Sequence, residues 1–325
     1  MKIVTIKGDG IGPSIMDSVK KILMSLNSNF EFIDALAGKE SLAQKGSLLP
    51  DETLSLIKEH KLCLKSPLET PIGNGFSSIN VALRKKLDLY ANVRPIKNKD
   101  LDFVIIRENT EGMYGGEQIG DDLLGEAKSR ITRAGAERII NYAISYAIKN
   151  KRKKITLVHK ANILKTTSGL MLKVFKEKQK DYPNIEFEDL IVDNTAMQMV
   201  LNPHRFDVIV TSNLFGDILS DLGAGLIGGL GLAPGVNRGD DVSIYEAVHG
   251  TAPDIVGKNL ANPLALLKSA GLLLEERGLI KEKQILDKSI DSMFNEKKLT
   301  KDLGGGLGTI EFTNELIQKI KNYSS

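Results

Sequence analysis

The feature that most constrains the fold is a repeated pairing of short apolar runs with helical patterns. Runs rich in β-branched and aromatic residues are typical of buried strands, and they occur at 2–6, 102–106, 154–158, 187–192 and 206–210. Helical patterns lie between many of them, and the clearest, at 132–150, carries one apolar stripe. This alternation predicts an α/β fold with much parallel strand pairing.

Polar residues follow these runs directly. The segments GDGIGP, RENTEGMYGG, HKANILK, DNTAMQ and TSNLFGDILSD each come after a predicted strand. Open α/β sheets bind ligands at the carboxyl ends of their strands. The sequence therefore predicts a functional site at that edge of the sheet.

Composition narrows the class of protein. The 325 residues are 42% hydrophobic, enough for a large core and for two lobes. Lys and Arg (44) nearly balance Asp and Glu (41), so no global basic surface indicates a nucleic acid or an anionic membrane as partner. One cysteine, Cys63, excludes an internal disulfide framework, and the four histidines lack zinc-site spacing.

The chain shows no pattern of a targeting or membrane segment. The N-terminal residues lack the apolar core of a signal peptide. The longest apolar stretch, 224–235, is too short and too rich in glycine to span a bilayer. We therefore expect a soluble, cytoplasmic protein.

The motif GDGIGP at 8–13 suggests a dinucleotide-binding turn, but it departs from the Rossmann fingerprint. Pro13 occupies the position of the third glycine, and no acidic residue ends a second strand about 20 residues later. The alternative is a tight turn from strand to helix, with Pro13 opening the helix. A dinucleotide, if one binds, is expected to bind by another route.

Asp217 and Asp221 lie four residues apart in the first turns of a predicted helix, 213–225. Like charges at this spacing repel each other on one helix face. One interpretation is that the helix dipole stabilises Asp217 while Asp221 faces water. The other is that the two carboxylates share a cation.

Three arginines, Arg84, Arg94 and Arg107, lie near predicted element ends. Arginine binds carboxylates through a planar fork of donors, so three of them suit a substrate with several carboxylates. The alternative for each is an ordinary surface residue. Ser78 and Asn80 are close in sequence and could add neutral hydrogen bonds.

Lys160 and Tyr114 are candidates for proton transfer. Lys160 follows a buried strand, where desolvation is available to lower the pKa of its ammonium group. Tyr114 is flanked by glycines and has packing as its alternative role. His159 is interpreted as a core histidine whose hydrogen bonds are satisfied.

Taken together and in order, seven motifs resemble one family. They are GDGIGP, TPIGNGFSSINVALRKKLDLYANVRP, IIRENTEGMYGG, VHKANILK, VDNTAMQMV, NLFGDILSDLGAGLIGGLGLAPG and EAVHGTAPDIVGKNLANP. The chain resembles the β-decarboxylating dehydrogenases, which include the isocitrate, homoisocitrate and 3-isopropylmalate dehydrogenases. The resemblance runs from Gly8 to the DLGG segment at 302–305.

The resemblance implies an α/β fold of the isocitrate/isopropylmalate dehydrogenase type, with two lobes, and not a Rossmann fold. A large lobe on the cofactor side would comprise 1–89 and 228–325. A small lobe would comprise 90–227 and carry a dimer-forming arm near 112–132. The expected assembly is an obligate homodimer with shared active sites.

The resemblance also implies roles for individual residues. Tyr114 and Lys160 would transfer protons, and Lys160 and Asp193 would come from the neighbouring subunit. The implied ligands of the substrate are Ser78, Asn80, Arg84, Arg94 and Arg107. The implied ligands of Mg²⁺ or Mn²⁺ are Asp193, Asp217 and Asp221. The implied contacts of the dinucleotide are Thr70, His249, Gly250, Thr251, Ala252, Asp254, Ile255 and Asn262.

The expected substrate is a small hydroxy-polycarboxylate. The Ser78-x-Asn80 pair resembles the isocitrate enzymes, whereas 3-isopropylmalate enzymes need an apolar contact, for which Phe76 is the nearest candidate. Glu69 and Asn74 depart from the isocitrate pattern, so homoisocitrate is the alternative substrate.

NAD is the expected cofactor. Relatives that use NADP place a lysine and a tyrosine where this chain has Asp254 and Ile255. A different kind of function, a non-catalytic regulatory subunit of a heteromeric isocitrate dehydrogenase, would be expected to lack catalytic or metal-binding groups. Tyr114, Lys160 and the three aspartates are all present, which favours a catalytic chain.

Overall fold

A computed structural model describes residues 1–69 and 78–324 of the chain. Thr70, Asn74 and Phe76, which the sequence analysis singled out, lie outside the described residues. Within the described ranges the strands are β1 (Lys2–Ile6), β2 (Glu31–Asp34), β3 (Leu62–Lys65), β4 (Ala91–Lys97), β5 (Asp102–Glu108), β6 (Gln118–Gly120), β7 (Gly125–Ala127), β8 (Lys154–His159), β9 (Glu186–Ile191), β10 (Val208–Thr211), β11 (Pro234–Arg238) and β12 (Ser243–Ala247).

The same ranges contain α-helices between and after these strands. They are α1 (Gly12–Leu26), α2 (Lys39–Lys45), α3 (Asp51–His60), α4 (Ile79–Lys86), α5 (Arg133–Lys149), α6 (Ser168–Gln179), α7 (Val192–Leu201), α8 (Asn213–Leu226), α9 (Leu264–Glu276), α10 (Ile280–Asn295) and α11 (Thr309–Ser324). None of these helices combines the length and the apolar character that crossing a bilayer requires.

The chain divides into two compact units. Unit 1 comprises Met1–Leu87, Leu230–Val236 and Asp241–Ser325, and unit 2 comprises Asp88–Gly229 and Asn237–Asp240. The assignment of one lobe to the cofactor and of the other to dimer formation stays a prediction from the resemblance.

Unit 1 contains a parallel sheet in the order β2-β1-β3-β12. Helices α1, α9, α10 and α11 pack against one another in this unit. Cys63 lies fully buried in β3, and its burial raises the pKa of the thiol to about 12. The cysteine is therefore a small core residue and not a reactive thiol.

The GDGIGP segment forms the turn that its alternative interpretation predicts. Pro13 lies in the first turn of α1, where the missing N–H of proline is tolerated. Gly10 has a φ of +60°, and a side chain there would collide with the carbonyl oxygen of Thr251. The Ile11 N–H donates to that same carbonyl at 2.9 Å, so the turn supports the loop that contains Thr251.

Unit 2 contains a sheet in the order β4-β5-β10-β8-β9, in which only the pair β4 and β5 is antiparallel. Arg107 pairs in register with Thr211, and Thr211 pairs with Val158. Because these strands are parallel, their polar carboxyl-terminal residues share one edge, as the sequence predicts.

The predicted helix 132–150 is confirmed as α5. Thr132 caps it by accepting the Gly135 N–H at 3.0 Å. Its buried face consists of Gly135, Ala136, Ile139, Ile140, Ala143, Ile144 and Ala147. Burial of this stripe accounts for the amphipathic pattern of the sequence.

Helix α8 packs directly on strand β5 through Gly216. A Cβ atom at this position would lie 2.6 Å from both Cβ and Cγ of Arg107, whereas a Cβ at Gly225, in the same helix, would meet nothing within 4 Å. The close approach of helix to strand therefore requires glycine at the first position and not at the second.

We expect Gly216→Ala to destabilise the protein by about 1–3 kcal/mol, because Arg107 must shift to admit the methyl group. The matched control Gly225→Ala is expected to stabilise it by about 0.5–1 kcal/mol through helix propensity. Urea unfolding monitored by circular dichroism measures both changes. Equal stabilisation by the two substitutions would contradict this account of the packing.

Candidate active site

The site in unit 2 is built around Arg107, at the carboxyl-terminal part of β5. Its side chain is 1% exposed. The Nε and Nη2 groups donate to Oδ1 of Asn213 at 3.0 and 2.7 Å, and Nη1 donates to Asp217. A buried guanidinium requires such partners, because a charge left unpaired in the interior is strongly unfavourable.

Asp217 also accepts a hydrogen bond from the hydroxyl group of Tyr114. The guanidinium carbon of Arg107 lies 5.1 Å from the centre of the Tyr114 ring. A carboxylate-binding cation, an O–H donor and a carboxylate are therefore in mutual contact. These three residues were predicted as site residues from separate motifs, and the structure brings them together.

The partners of Arg107 follow from the geometry of α8. Asn213 is the first residue of this helix, and Asp217 lies one turn later on the same face. Sequence reasoning did not single out Asn213. Its position at the start of the NLFGDILSD segment, four residues before Asp217, was the available signal.

Asp221 lies one further turn along α8 and faces a second arginine. The Nη1 atom of Arg94 is 3.9 Å from Oδ1 of Asp221. Partial burial raises the pKa of Asp221, Arg94 opposes this change, and the negative charge of Asp217 raises the pKa further. The like-charge repulsion that the sequence suggested is therefore present.

A hard divalent cation fits this pair of carboxylates, since it prefers oxygen ligands and would offset the repulsion. Over residues 1–69 and 78–324 of a single chain, no group of three or more His, Cys, Asp or Glu side chains is placed to hold a metal. Asp193, the third predicted ligand, was assigned to the neighbouring subunit, and that assignment stays a prediction.

Lys160 and Asp193 contact each other in unit 2. The ammonium group of Lys160 donates to Oδ1 of Asp193 at 2.7 Å, and this hydrogen bond lowers the pKa of Asp193. The side chain of Lys160 is 27% exposed, so its desolvation in a single chain is partial.

His159 is a core histidine with its hydrogen bonds satisfied, as expected. Its Nε2 lies 3.2 Å from Oδ2 of Asp189, and its Nδ1 accepts the Ala161 N–H at 3.0 Å.

The alternative interpretation of the three arginines as surface residues is wrong. Arg84, Arg94 and Arg107 are 9%, 6% and 1% exposed. In unit 1, Nη2 of Arg84 lies 4.0 Å from Oε1 of Glu246, whose other oxygen is 2.9 Å from Lys65. Sequence reasoning missed this buried pair, because nothing in the local pattern places Lys65 opposite Glu246.

Ser78 and Asn80 begin helix α4. The Ser78 hydroxyl oxygen caps the helix by accepting the Val81 N–H at 3.4 Å. The Oδ1 atom of Asn80 is buried and has no hydrogen-bond partner within the described chain. Both residues stay predicted ligands of the substrate.

The predicted cofactor segment lies in unit 1. Burial lowers the pKa of His249, whose Nδ1 lies 2.9 Å from the Gly250 carbonyl oxygen. Among the described residues no group pairs with its buried Nε2 atom, and such an orphaned atom fits a contact with a bound molecule. Asp254 lies exposed in a short 3-10 turn, Pro253–Ile255.

Ala252 precedes this turn with a φ of +42°. The side chain of Asn262 is occupied within the protein, since Nδ2 donates to Asp302 and Oδ1 accepts the Leu264 N–H, each at 2.9 Å. The roles of these residues and of Thr251, Gly250 and Ile255 in cofactor binding stay predictions.

The chain belongs to the isocitrate/isopropylmalate dehydrogenase family, because the sequence pattern of that family matches residues 2–320. The chain is therefore a member of a family of oxidoreductase enzymes. The family resemblance and the α/β fold class that the sequence predicted are both confirmed.

Relatives within the family carry different names. Homoisocitrate dehydrogenase of Methanocaldococcus jannaschii is 43% identical, with 99% of this chain and 100% of the relative covered. A mitochondrial regulatory subunit of an NAD isocitrate dehydrogenase from Dictyostelium discoideum is 44% identical, with 98% of this chain and 92% of the relative covered. Other relatives of similar identity are named 3-isopropylmalate dehydrogenase.

Among solved structures, isocitrate dehydrogenase from Methylococcus capsulatus matches this chain with a TM-score of 0.94 at 45% identity. The match covers 98% of this chain and 99% of that chain. The family is therefore established by sequence and by fold, while the relatives' names divide among three substrates.

We expect Asn213→Ala to destabilise the protein by about 1.5–3 kcal/mol, because it removes hydrogen bonds to a buried charged group. Ser220→Ala is the matched control: it removes one neutral hydrogen bond, from its hydroxyl to the Asp217 carbonyl at 2.9 Å, in the same helix. Its expected cost is about 0.5–1.5 kcal/mol. Urea unfolding of both variants tests this order, and a smaller loss for Asn213→Ala would refute the role of Asn213.

Proposed function

We propose that this chain catalyses the oxidative decarboxylation of isocitrate to 2-oxoglutarate and CO₂, with NAD and with Mg²⁺ or Mn²⁺. The observation that carries the proposal is the convergence of Arg107 and Tyr114 on Asp217, one helical turn before Asp221. This arrangement supports a carboxylate-binding group, a proton donor and a metal ligand acting on one substrate.

The site residues have separate roles in the proposed reaction. Arg94 and Arg107 bind substrate carboxylates, and Lys160 accepts the proton of the substrate hydroxyl group. NAD, held by the segment that contains His249 and Asp254, would supply the hydride acceptor, and a divalent cation held by the aspartates would supply positive charge near the substrate oxygens. Tyr114 protonates the carbon from which CO₂ has departed.

Asp193, Asp217 and Asp221 are the proposed ligands of the cation. The carboxylate oxygens of Asp217 and Asp221 suit Mg²⁺ and Mn²⁺. Burial is the main cause of the raised pKa of Asp221 and the charge of Asp217 adds to it; a cation would offset that second contribution.

The substrate is proposed from the start of α4. Ser78 and Asn80 offer polar groups there, and the buried Oδ1 of Asn80 has no partner in the described residues. Polar groups at this place favour a third carboxylate over the alkyl group of 3-isopropylmalate. Homoisocitrate remains the alternative, and a relative of that name supports it.

Steady-state kinetics with isocitrate, homoisocitrate and 3-isopropylmalate test the substrate. We expect the highest kcat/KM with isocitrate, in the presence of NAD and Mg²⁺, because only a substrate with a matching third carboxylate uses the polar groups of Ser78 and Asn80. Higher kcat/KM with either of the other hydroxyacids would overturn the assignment.

A homodimer is proposed from the exposed apolar side chains of unit 2. Seven apolar residues of this unit are at least 50% exposed: Ile119, Leu123, Leu124, Met197, Val200, Leu201 and Ile218. Three of them lie in and around the hairpin of β6 and β7, within the predicted arm. A second copy of the chain would cover these side chains.

Complementation between inactive variants tests the shared active site. We expect Lys160→Met and Asp217→Asn each to lower kcat by several decades, since one lacks the proton acceptor and the other a metal ligand. Unfolding and refolding an equal mixture should restore roughly one quarter of wild-type activity, because half of the dimers would be hybrids with one intact site.

Two results would contradict these roles. Near-normal turnover by either purified variant would exclude the catalytic role of that residue. Absence of recovery in a mixture that forms hybrid dimers would exclude Lys160 acting in the neighbouring subunit's site.

A regulatory role is the second candidate, because one relative is named as a regulatory subunit. The contacts among Arg107, Tyr114 and Asp217 favour catalysis, since a regulatory chain has no need to keep them. Activity of the chain expressed alone distinguishes the two functions.

NAD is the proposed cofactor because Asp254 is exposed in the turn that follows Ala252. Its carboxylate can accept hydrogen bonds from ribose hydroxyls, and it would repel a 2′-phosphate. We expect kcat/KM with NAD to exceed that with NADP by about 100-fold or more. Asp254→Lys combined with Ile255→Tyr should shift the preference toward NADP, and equal use of NADP by the unmodified protein would refute this role of Asp254.

A further inference from the structure

In unit 2, Arg94 is connected by hydrogen bonds to a series of three buried asparagines. Asn92, Asn109 and Asn237 are 0%, 4% and 2% exposed. The Nε group of Arg94 donates to Oδ1 of Asn92 at 2.7 Å, and Nδ2 of Asn92 donates to Oδ1 of Asn237 at 2.8 Å. Nδ2 of Asn109 donates to the same oxygen at 2.9 Å. We refer to these three residues as the asparagine network.

Arg94 sets the direction of the Asn92 amide. A guanidinium group only donates hydrogen bonds, so Asn92 must turn its oxygen toward Arg94 and its nitrogen toward Asn237. Asn237 must then present its oxygen, which also accepts from Asn109. Within the described residues, Oδ1 of Asn109 has no partner, while its Nδ2 also donates to the Leu89 carbonyl at 3.0 Å.

The buried Oδ1 of Asn109 is the one amide oxygen of this network without a partner in the described residues. Buried polar atoms normally have partners, and an exception calls for a specific cause. Here Nδ2 of Asn109 donates both to Asn237 and to the Leu89 carbonyl, so Oδ1 of Asn109 is left without a donor among the described residues. The network therefore runs from a group that only donates, Arg94, to a carbonyl that only accepts, that of Leu89.

We propose that Asn92, Asn109 and Asn237 are positioning residues that fix the plane of the Arg94 guanidinium for substrate binding. Asn92 and Arg94 are two residues apart on β4, so their side chains leave the same face of the strand. With Nε held by Asn92, a carboxylate can bind Arg94 bidentately only through the two terminal nitrogens. This inference rests on the proposed role of Arg94 in binding a substrate carboxylate.

Substrate binding measured by titration calorimetry tests the inference. The probe is the hydroxyacid that the wild-type chain oxidises fastest among isocitrate, homoisocitrate and 3-isopropylmalate, with Mg²⁺ and without NAD. We expect Asn92→Leu to raise its Kd about 10-fold and Asn237→Leu about 3-fold, because the guanidinium is no longer held. Asn237→Leu carries the test if Asn92→Leu does not fold.

Repeating the asparagine substitutions in a chain without Arg94 distinguishes a positioning effect on Arg94 from a general loss of protein stability. In an Arg94→Ala background, neither leucine substitution should change the Kd further. The matched control Thr156→Val removes the side-chain hydrogen bond of another buried residue of unit 2, to Glu188 at 3.2 Å, and should leave the Kd unchanged. Unchanged Kd values in folded asparagine variants, or effects that persist without Arg94, would overturn the inference.

A measurement without substrate distinguishes this inference from the proposed function. In ¹⁵N NMR, the Arg94 Nε–H resonance, assigned by its absence in Arg94→Ala, should exchange slowly with water in the wild type. It should exchange at least several-fold faster in both leucine variants. Unchanged exchange in both leucine variants would overturn the positioning role alone. A wild-type chain that oxidises none of the three hydroxyacids would overturn the proposed function, and with it the part of this inference that concerns substrate binding.

Discussion

The structure of the candidate site depends on one interaction, the ion pair between Arg107 and Asp217. A guanidinium group that is 1% exposed must be paired, and Asp217 and Asn213 of α8 supply its partners. The helix can supply them only by lying against β5, and Gly216 permits that approach. The same ion pair holds Asp217 where the hydroxyl group of Tyr114 reaches it.

This arrangement explains why two aspartates persist one turn apart on one helix. Asp217 is paired with Arg107, and Asp221 faces Arg94 at 3.9 Å. The pKa of Asp221 is nevertheless raised, first by burial and further by Asp217, so the arginines do not offset the charge fully. In the proposed function, a divalent cation offsets the remaining charge, and the arginines bind substrate carboxylates.

The sequence predicted the edge of the sheet but not the partners across it. Short apolar runs rich in β-branched residues locate strands such as β5 and β8. The polar residues that follow these strands lie at one edge of the sheet, as expected. The network that begins at Arg94 could not be predicted, because it joins distant segments: Asn237, which accepts a hydrogen bond from Asn92, lies 145 residues from it. Asparagines are common in turns, so local pattern gives them no role until tertiary structure brings them together.

The central claim is that oxidation and loss of CO₂ belong to one reaction at this site. The most direct measurement supplies isocitrate, labelled with ¹³C in the carboxylate that is lost, to the purified chain with NAD and Mg²⁺. NADH is followed by absorbance and labelled CO₂ by mass spectrometry. The account predicts equal amounts of the two products throughout the reaction, and formation of NADH without labelled CO₂ would contradict it.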